Sequence, residues 1–166
     1  DLYIVQGVQQ VLAESGKTLM IADTGGASDR VEMLLQTFLQ HRVEAVIYVA
    51  DFHKQIEIDL QQVNQPVVLV NCFDSIGTPA IVPDDERCQF DLVTDLVHSG
   101  HRRIAYLTLA PEMQATPLRV GGYRAALEQA GLAYDPDLVI QARGTDDDDE
   151  GALLLDGLRR LLALPD

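Results

Sequence analysis

The chain has 166 residues, 47% of them hydrophobic, and 26 acidic against 12 basic side chains give it a net charge of −14. That length holds one ordinary domain, and that apolar content is enough for a packed core. No run approaches the roughly 20 apolar residues of a membrane-spanning helix, and an acidic field of this size repels phosphate backbones, which argues against these residues binding nucleic acid themselves.

In chain order, Ile4, Val5, Val8, Val11 and Leu12 follow the helical period, and Gly16 closes that helix. Residues 18–22 read as a short strand. After the turn 23–27, Ser28 or Asp29 caps a helix whose core face is Val31, Leu34, Leu35 and Phe38. A strand over 43–49 and a weaker helix over 51–63, carrying Ile56, Leu60 and Val63, follow. Pro66 ends anything helical before the continuous apolar run 67–70, as expected of a strand buried on both faces. Residues 71–83, with Asn71, Asp74, Gly77, Pro79 and Pro83, are loop-rich and carry no clear helix.

Asp84 or Asp85 then caps a helix in which Phe90, Val93, Leu96 and Val97 recur at helical spacing and which stops at Gly100. A polar step, His101-Arg102-Arg103, leads into a strand over 104–109. A loop over 110–116, a helix over 117–130 ending at Gly131, a strand over 138–141 and a helix over about 149–163 complete the chain. Helices alternating with short apolar strands predict α/β architecture with parallel sheets. The break at 71–83 separates two halves, 1–72 and 73–166, with the chain crossing between them there.

In parallel sheets ligands bind beyond the carboxyl ends of the strands. That rule selects Asp23, Thr24, Asp51, Asn71, Asp74 and the loop 110–119, whose short polar groups suit hydroxylated or amide-bearing ligands. Asp23 and Thr24 are open to two readings, ligand contact or plain turn formation. Asn71 follows a fully buried strand, where its amide can reach a cleft or close a turn. Arg119 stands near a helix start, where a cation is mildly unfavourable, and either an anionic or polyhydroxyl ligand or an ion pair with an acidic neighbour compensates it.

Motifs for other chemistry are lacking. There is no G-x-S-x-G elbow, no phosphate-cradling G-x-x-x-x-G-K-[ST] and no G-x-G-x-x-G after a strand, so the residues point to no catalytic or cofactor site. His98 and His101 are separated by the helix-breaking Gly100, so they read as surface residues rather than a metal pair, with His101 ordering its turn. Cys72 and Cys88 lack zinc or redox spacing and read as reduced, partly buried thiols. The acidic run 146–149 lacks the D-x-D-x-D-G order of a calcium loop and reads as a solvated loop. A phospho-acceptor domain using Asp23 or Asp51 is disfavoured, because clustered acids and a downstream lysine are missing; the lysines are Lys17 and Lys54.

Gly100-His101-Arg102-Arg103-Ile104-Ala105, followed by Arg119-Val120-Gly121-Gly122-Tyr123-Arg124-Ala125-Ala126-Leu127, resembles the GHRxIA and RxxGYxxAL pair of LacI/GalR-family transcriptional regulators, at the family's interval. Gly7-Val8, Ala22-Asp23-Thr24, the segment 42–47 and Val82-Pro83-Asp84-Asp85 resemble the same proteins. The resemblance spans essentially the whole chain. It implies a periplasmic-binding-protein-like type I fold, two doubly wound parallel-sheet subdomains with a small molecule, most often a sugar, in the cleft between them. The chain would then be a partial N-terminal subdomain, 1–72, and a partial C-terminal one, 73–166. The family's first strand and its later return strands would lie outside these residues, as would the N-terminal helix-turn-helix that binds operator DNA.

By the same resemblance Arg119 matches an effector-binding arginine. Asn71 matches a position often held by a ligand-contacting aspartate, and Val49 and Asp51 match a strand end that lines the cleft, beside Asp23 and Thr24. The resemblance further implies a homodimer with the helix over 4–12 at its interface, a cytoplasmic location, and no enzyme activity, metal or cofactor. An exported sugar-binding protein of a transport system is the alternative, distinguished by what precedes Asp1.

Overall fold

Each of two apolar strand pairs finds its partner in parallel, as the alternation of helices and strands predicts. The computed structural model describes residues 2–58, 60, 63–144 and 150–164, and the chain divides into two compact units, Asp1–Ile81 and Val82–Asp166. The boundary expected at 72/73 is thereby corrected. The reason is hydrogen bonding: the strand before it runs on to Phe73 and recruits a further short strand at Ala80–Ile81.

In the first unit, α1 (Leu2–Glu14) and α2 (Ser28–Gln40) precede a three-stranded parallel sheet of β1 (Val46–Gln55), β2 (Val67–Phe73) and β3 (Ala80–Ile81), in that spatial order. Val31 and Leu35 of α2 pack with Val46, Ala50, Ile56, Leu60, Leu69 and Cys72 in one core. The N-cap of α2 is Ala27, without a side-chain hydrogen bond, rather than Ser28 or Asp29. β1 begins three residues later than expected, because Arg42 turns left-handed (φ 56°) and the Val43 amide still bonds back to Phe38.

Two expected elements of this unit do not form. Residues 18–22 belong to no sheet; β1 is hydrogen-bonded to β2 alone, and an apolar run without a ladder partner is not a strand. Where a helix over 51–63 is expected, residues 51–55 are instead the second half of β1: Lys54 and Gln55 pair with Cys72 and Phe73, and the Ile56 amide donates to the Phe73 carbonyl at 2.8 Å, while residues 59, 61 and 62 lie outside the described residues. Ile56 and Leu60 reach the core as that spacing predicts. Asp74 begins the turn after β2, its Oδ1 accepting from the amides of Ile76, Gly77 and Thr78 at 2.9–3.2 Å.

The second unit begins with α3 (Asp85–His98), capped by Asp84, whose carboxylate accepts from the Arg87 amide. Gly100, at φ 98°, ends it. β4 (Tyr106–Thr108) and β5 (Val139–Gln141) form a two-stranded parallel sheet, with α4 (Ala115–Gln129) between them in sequence and α5 (Glu150–Ala163) after them. β4 is shorter than the expected 104–109, because the Ile104 carbonyl is taken by the Tyr123 hydroxyl at 2.8 Å. Leu138 lies in a 3-10 turn (Pro136–Leu138) capped by Asp135, so β5 starts one residue later than expected. α4 starts two residues early: Thr116 Oγ1 donates to the Ala110 carbonyl and ties the loop to the helix. The turn after α3 is ordered by Arg102, whose guanidinium donates to the Val97 and His101 carbonyls, while His98 and His101 are exposed. Cys72 is fully buried and Cys88 exposed, in place of two partly buried thiols. The acidic run 146–149 lies outside the described residues.

The core of this unit is Val93, Ile104, Tyr123, Ala126 and Leu127, with Phe90, Leu96 and Val97 of α3 packed against it. α3 and α4 approach closely at Gly122. A methyl group there would overlap the Glu86 carbonyl and stand 3.0 Å from the Phe90 nitrogen, and overpacking against backbone is not relieved by rotamer change. Gly122→Ala is therefore expected to lower stability by about 1–3 kcal/mol in urea unfolding, and Tyr123→Phe by about 1–2 kcal/mol through the orphaned Ile104 carbonyl.

Hydrogen bonds from Thr78 lead in holding the Asp74 carboxyl below the ordinary carboxylate range, with the Gly77 and Ile76 amides adding to them. A depressed folded value means stability that is present above the unfolded value and lost as pH falls through the folded one. Acid titration of the fold from about pH 4 downward is expected to show this loss, and Asp74→Asn to remove that part of the pH dependence.

Candidate functional site

Four of the residues selected from the sequence share one cavity in the first unit. It encloses about 740 Å³ and takes its walls from α1, residues 19–27, α2 and β1; Asp23, Thr24, Val49 and Asp51 line it, together with Tyr48 and Lys54. Asp23 and Thr24 both make turns: Asp23 Oδ1 accepts from the Gly25 amide at 2.8 Å and Thr24 Oγ1 from the Gly26 amide at 3.3 Å. The glycines that follow adopt φ 61° and 77°, conformations open to Gly at no steric cost. Tyr48 is shifted to a higher pKa, chiefly by burial and then by the charges of Cys72 and Asp51.

Asp51 owes its position to an irregular ladder. β1 pairs in register with β2 up to Val49 and Val70, then resumes at Lys54 and Cys72, so several residues of β1 loop outward from the pairing. Asn71 spans the break. It holds φ 60°, which asparagine tolerates better than most side chains, and its Nδ2 donates to the Ala50 carbonyl at 3.1 Å. The amide that the sequence offers to a cleft is thus committed to the bulge, and Asn71 does not line the cavity that holds the other four.

Arg119 belongs to the second unit, on α4. Its Nε donates to Asp85 Oδ1 at 2.6 Å, with side-chain exposures of 37% for the arginine and 3% for the aspartate. The ion pair that the sequence left as one of two readings is present, but its acid is buried rather than on the surface. Asp85 occupies the first turn of α3, where the helix dipole favours an anion. Tyr106 on β4 feels the same pair: burial raises its phenol most, the Arg119 charge opposes that, and the Asp85 charge adds to it.

Asp85 and Tyr106 were not singled out for a site by sequence reasoning. The signal for Asp85 was present in the doublet Asp84-Asp85, since one acid suffices to cap α3 and the second is left for another partner. Among the described residues no group of three His, Cys, Asp or Glu could hold a metal ion, and no described helix is long and apolar enough to cross a membrane.

Residues 2–164 match the family described as periplasmic binding proteins and sugar binding domain of LacI family. Over 132 residues the chain is 30% identical to the ribose operon repressor of Escherichia coli, covering 78% of this chain and 40% of that protein. A crystal structure of a LacI-family transcriptional regulator protein from Rhizobium etli superposes with a TM-score of 0.73 at 32% identity, over 85% of this chain and 50% of that one. The transcription regulator CcpA of Lactococcus lactis superposes with a TM-score of 0.70 at 26% identity, over 96% of this chain and 58% of that one. The chain thus spans about 40% of the length of the curated repressor it matches.

A carboxylate at position 71 could not donate to the Ala50 carbonyl and would face it with like charge. Asn71→Asp is expected to destabilise the fold by about 1–3 kcal/mol at neutral pH, read in urea unfolding, while Asn71→Gly, which keeps the left-handed backbone and loses only the bond, costs about 1 kcal/mol.

Proposed function

Because the chain belongs to the family of periplasmic binding proteins and LacI-type sugar-binding domains, we propose that it is the effector-sensing part of a DNA-binding transcriptional regulator, a repressor that answers to a sugar or related metabolite. The observation that carries the regulator over the transport reading is the kind of relative: the protein 30% identical over 132 residues is an operon repressor, and the solved structures from Rhizobium etli and Lactococcus lactis, which match at TM-scores of 0.73 and 0.70, are transcription regulators. The reading is that of a sensor and not of an enzyme, in the cytoplasm, working as a homodimer.

The two units are the two subdomains of that sensor. Arg119, Asn71, Asp51, Val49, Asp23 and Thr24 are the proposed effector contacts. Arg119 is the strongest of them, since Asp85 fixes its Nε and a guanidinium carries further donors on Nη1 and Nη2 that suit a ligand oxygen. Asn71 and the Asp23-Thr24 turn act through the backbone they hold as much as by direct contact. Operator DNA is met by a helix-turn-helix outside these 166 residues, consistent with the net charge of −14. Coupling follows from differential binding: an effector that favours one of two conformations shifts the population, and the DNA affinity shifts with it.

The test is a thermal-shift and calorimetric screen of the native polypeptide against sugars, sugar phosphates and nucleobases. A sugar is expected to bind and to change operator affinity, and Arg119→Ala to weaken that sugar at least roughly tenfold, the scale of a lost charge-assisted hydrogen bond. Full affinity in Arg119→Ala would remove Arg119 from the site.

A further inference from the structure

The register break in β1 sets an unusual number of residues against one. Val49 pairs with Val70 and Lys54 with Cys72, so Ala50, Asp51, Phe52 and His53 stand against Asn71 alone, where an ordinary bulge sets two residues against one. The arrangement has visible costs. Asn71 is held at φ 60°, a conformation uncommon outside glycine, and Phe52 is left 46% exposed. The ladder that resumes is short: two residue pairs, and the Ile56 amide on the Phe73 carbonyl. The bond from Asn71 Nδ2 to the Ala50 carbonyl and the packing of buried His53 on the Phe73 ring at 5.7 Å add to it.

A second register is open to the same two strands. Were the pairing of Val49 with Val70 to run on unbroken, Ala50 would meet Asn71, Asp51 would meet Cys72 and Phe52 would meet Phe73. Asn71 would then return to extended backbone, and strand alternation would put Phe52 on the face of Val46, Tyr48 and Ala50, which pack in the core. The chain from His53 onward would leave the sheet, where the spacing of Ile56, Leu60 and Val63 suits one face of a helix. Each register has what the other lacks. The bulged one keeps the Asn71 bond and the full burial of Cys72; the continuous one buries Phe52 and relieves the left-handed asparagine. Local pattern and distant pairing are in conflict over this segment, which is the condition for two competing arrangements.

We propose that β1 is a two-register strand, and that exchange between the bulged and the continuous pairing is a conformational switch built into the wall of the first unit's cavity. Asp51 and Lys54 both line that cavity. The exchange draws Asp51 into the ladder and takes Lys54 out of it, so the polar groups of the wall change. An occupant of the cavity meets two different walls, and its unequal affinity for them selects a register. The switch is a property of the sheet and goes beyond the sensing reading; it is tested without an effector, so its failure leaves that reading standing.

The experiment is amide hydrogen exchange and tryptophan emission on the native polypeptide carrying Phe52→Trp, alone and combined with Asn71→Gly or Asn71→Val, the emission read as the difference from the same protein without Phe52→Trp. Glycine tolerates the left-handed backbone and holds the bulged register, whereas a β-branched residue is a misfit there and drives the continuous one. Relative to Asn71→Gly, Asn71→Val is expected to move the emission from position 52 to shorter wavelength as the indole becomes buried. It is also expected to speed exchange of the Ile56 amide at least roughly tenfold, the scale of the left-handed penalty, while the Val46 amide, which donates to the Pro66 carbonyl at 2.9 Å, is unchanged. Position 52 remaining exposed in Asn71→Val overturns the inference, because loss of the Ile56 bond alone is fraying of a strand end. Equal acceleration at Val46 overturns it too, since that is a general loosening of the sheet. Where Asn71→Val does not fold, Glu57→Pro decides: proline keeps residue 56 extended and disfavours a helix through it, so Ile56 exchange is expected to slow relative to Glu57→Ala, and equal or faster exchange overturns the inference.

Discussion

The close approach of α3 and α4 at Gly122 is the constraint on which the second unit depends. Only a residue without a side chain lets the α4 backbone come against the Glu86 carbonyl and the Phe90 amide, and that contact brings the first turn of α3 within reach of α4. Asp85 precedes Glu86 and Arg119 lies one turn before Gly122, so the same crossing that buries Tyr123 also sets the 2.6 Å ion pair. Tyr123 fixes the third party, since its hydroxyl holds the Ile104 carbonyl at the entrance to β4. Packing, ion pair and strand are one arrangement, and loosening the crossing would misplace the arginine without touching it.

The first unit solves a different problem. Its sheet must carry both a regular buried ladder and a displaced strand end, and it does so by breaking register between Val49 and Lys54. The break leaves Ala50 with a carbonyl to satisfy, and Asn71 satisfies it from a left-handed backbone. A donor is required there, which is a physical reason for asparagine where an aspartate would leave the carbonyl unpaired. The identity of residue 71 is therefore tied to the shape of β1 and only through it to whatever Asp51 and Val49 contact.

The parts legible in the sequence were those whose cause is local. Helices showed through their periodicity and their stops, as with Val93 and Leu96 before Gly100, and the motif pair from Gly100 to Leu127 disclosed the family. What escaped was decided by partners distant in the chain. Residues 18–22 have strand composition but no ladder partner. Residues 51–55 carry the start of an expected helix, while pairing of Lys54 and Gln55 with β2 makes them strand. The boundary moved from 72/73 to 81/82 because β3, only two residues long, draws its segment into the first sheet. Among the site candidates, Arg119 stood out through its motif, whereas Asp85 could be read only as a cap until the structure showed Asp84 in that role and Asp85 34 residues away from its true partner.

Placing a buried carboxylate against an arginine is costly unless both are well satisfied, because desolvating two charges can exceed their mutual attraction. Here the arginine remains 37% exposed and the aspartate has a helix amino terminus at hand, so the penalty falls on a single, well-supported ion. The arrangement gives up the strong attraction that a bare guanidinium offers to anions and retains its directional hydrogen bonds. In a chain of net charge −14, whose long-range field already disfavours anions, local and global electrostatics then act in the same sense.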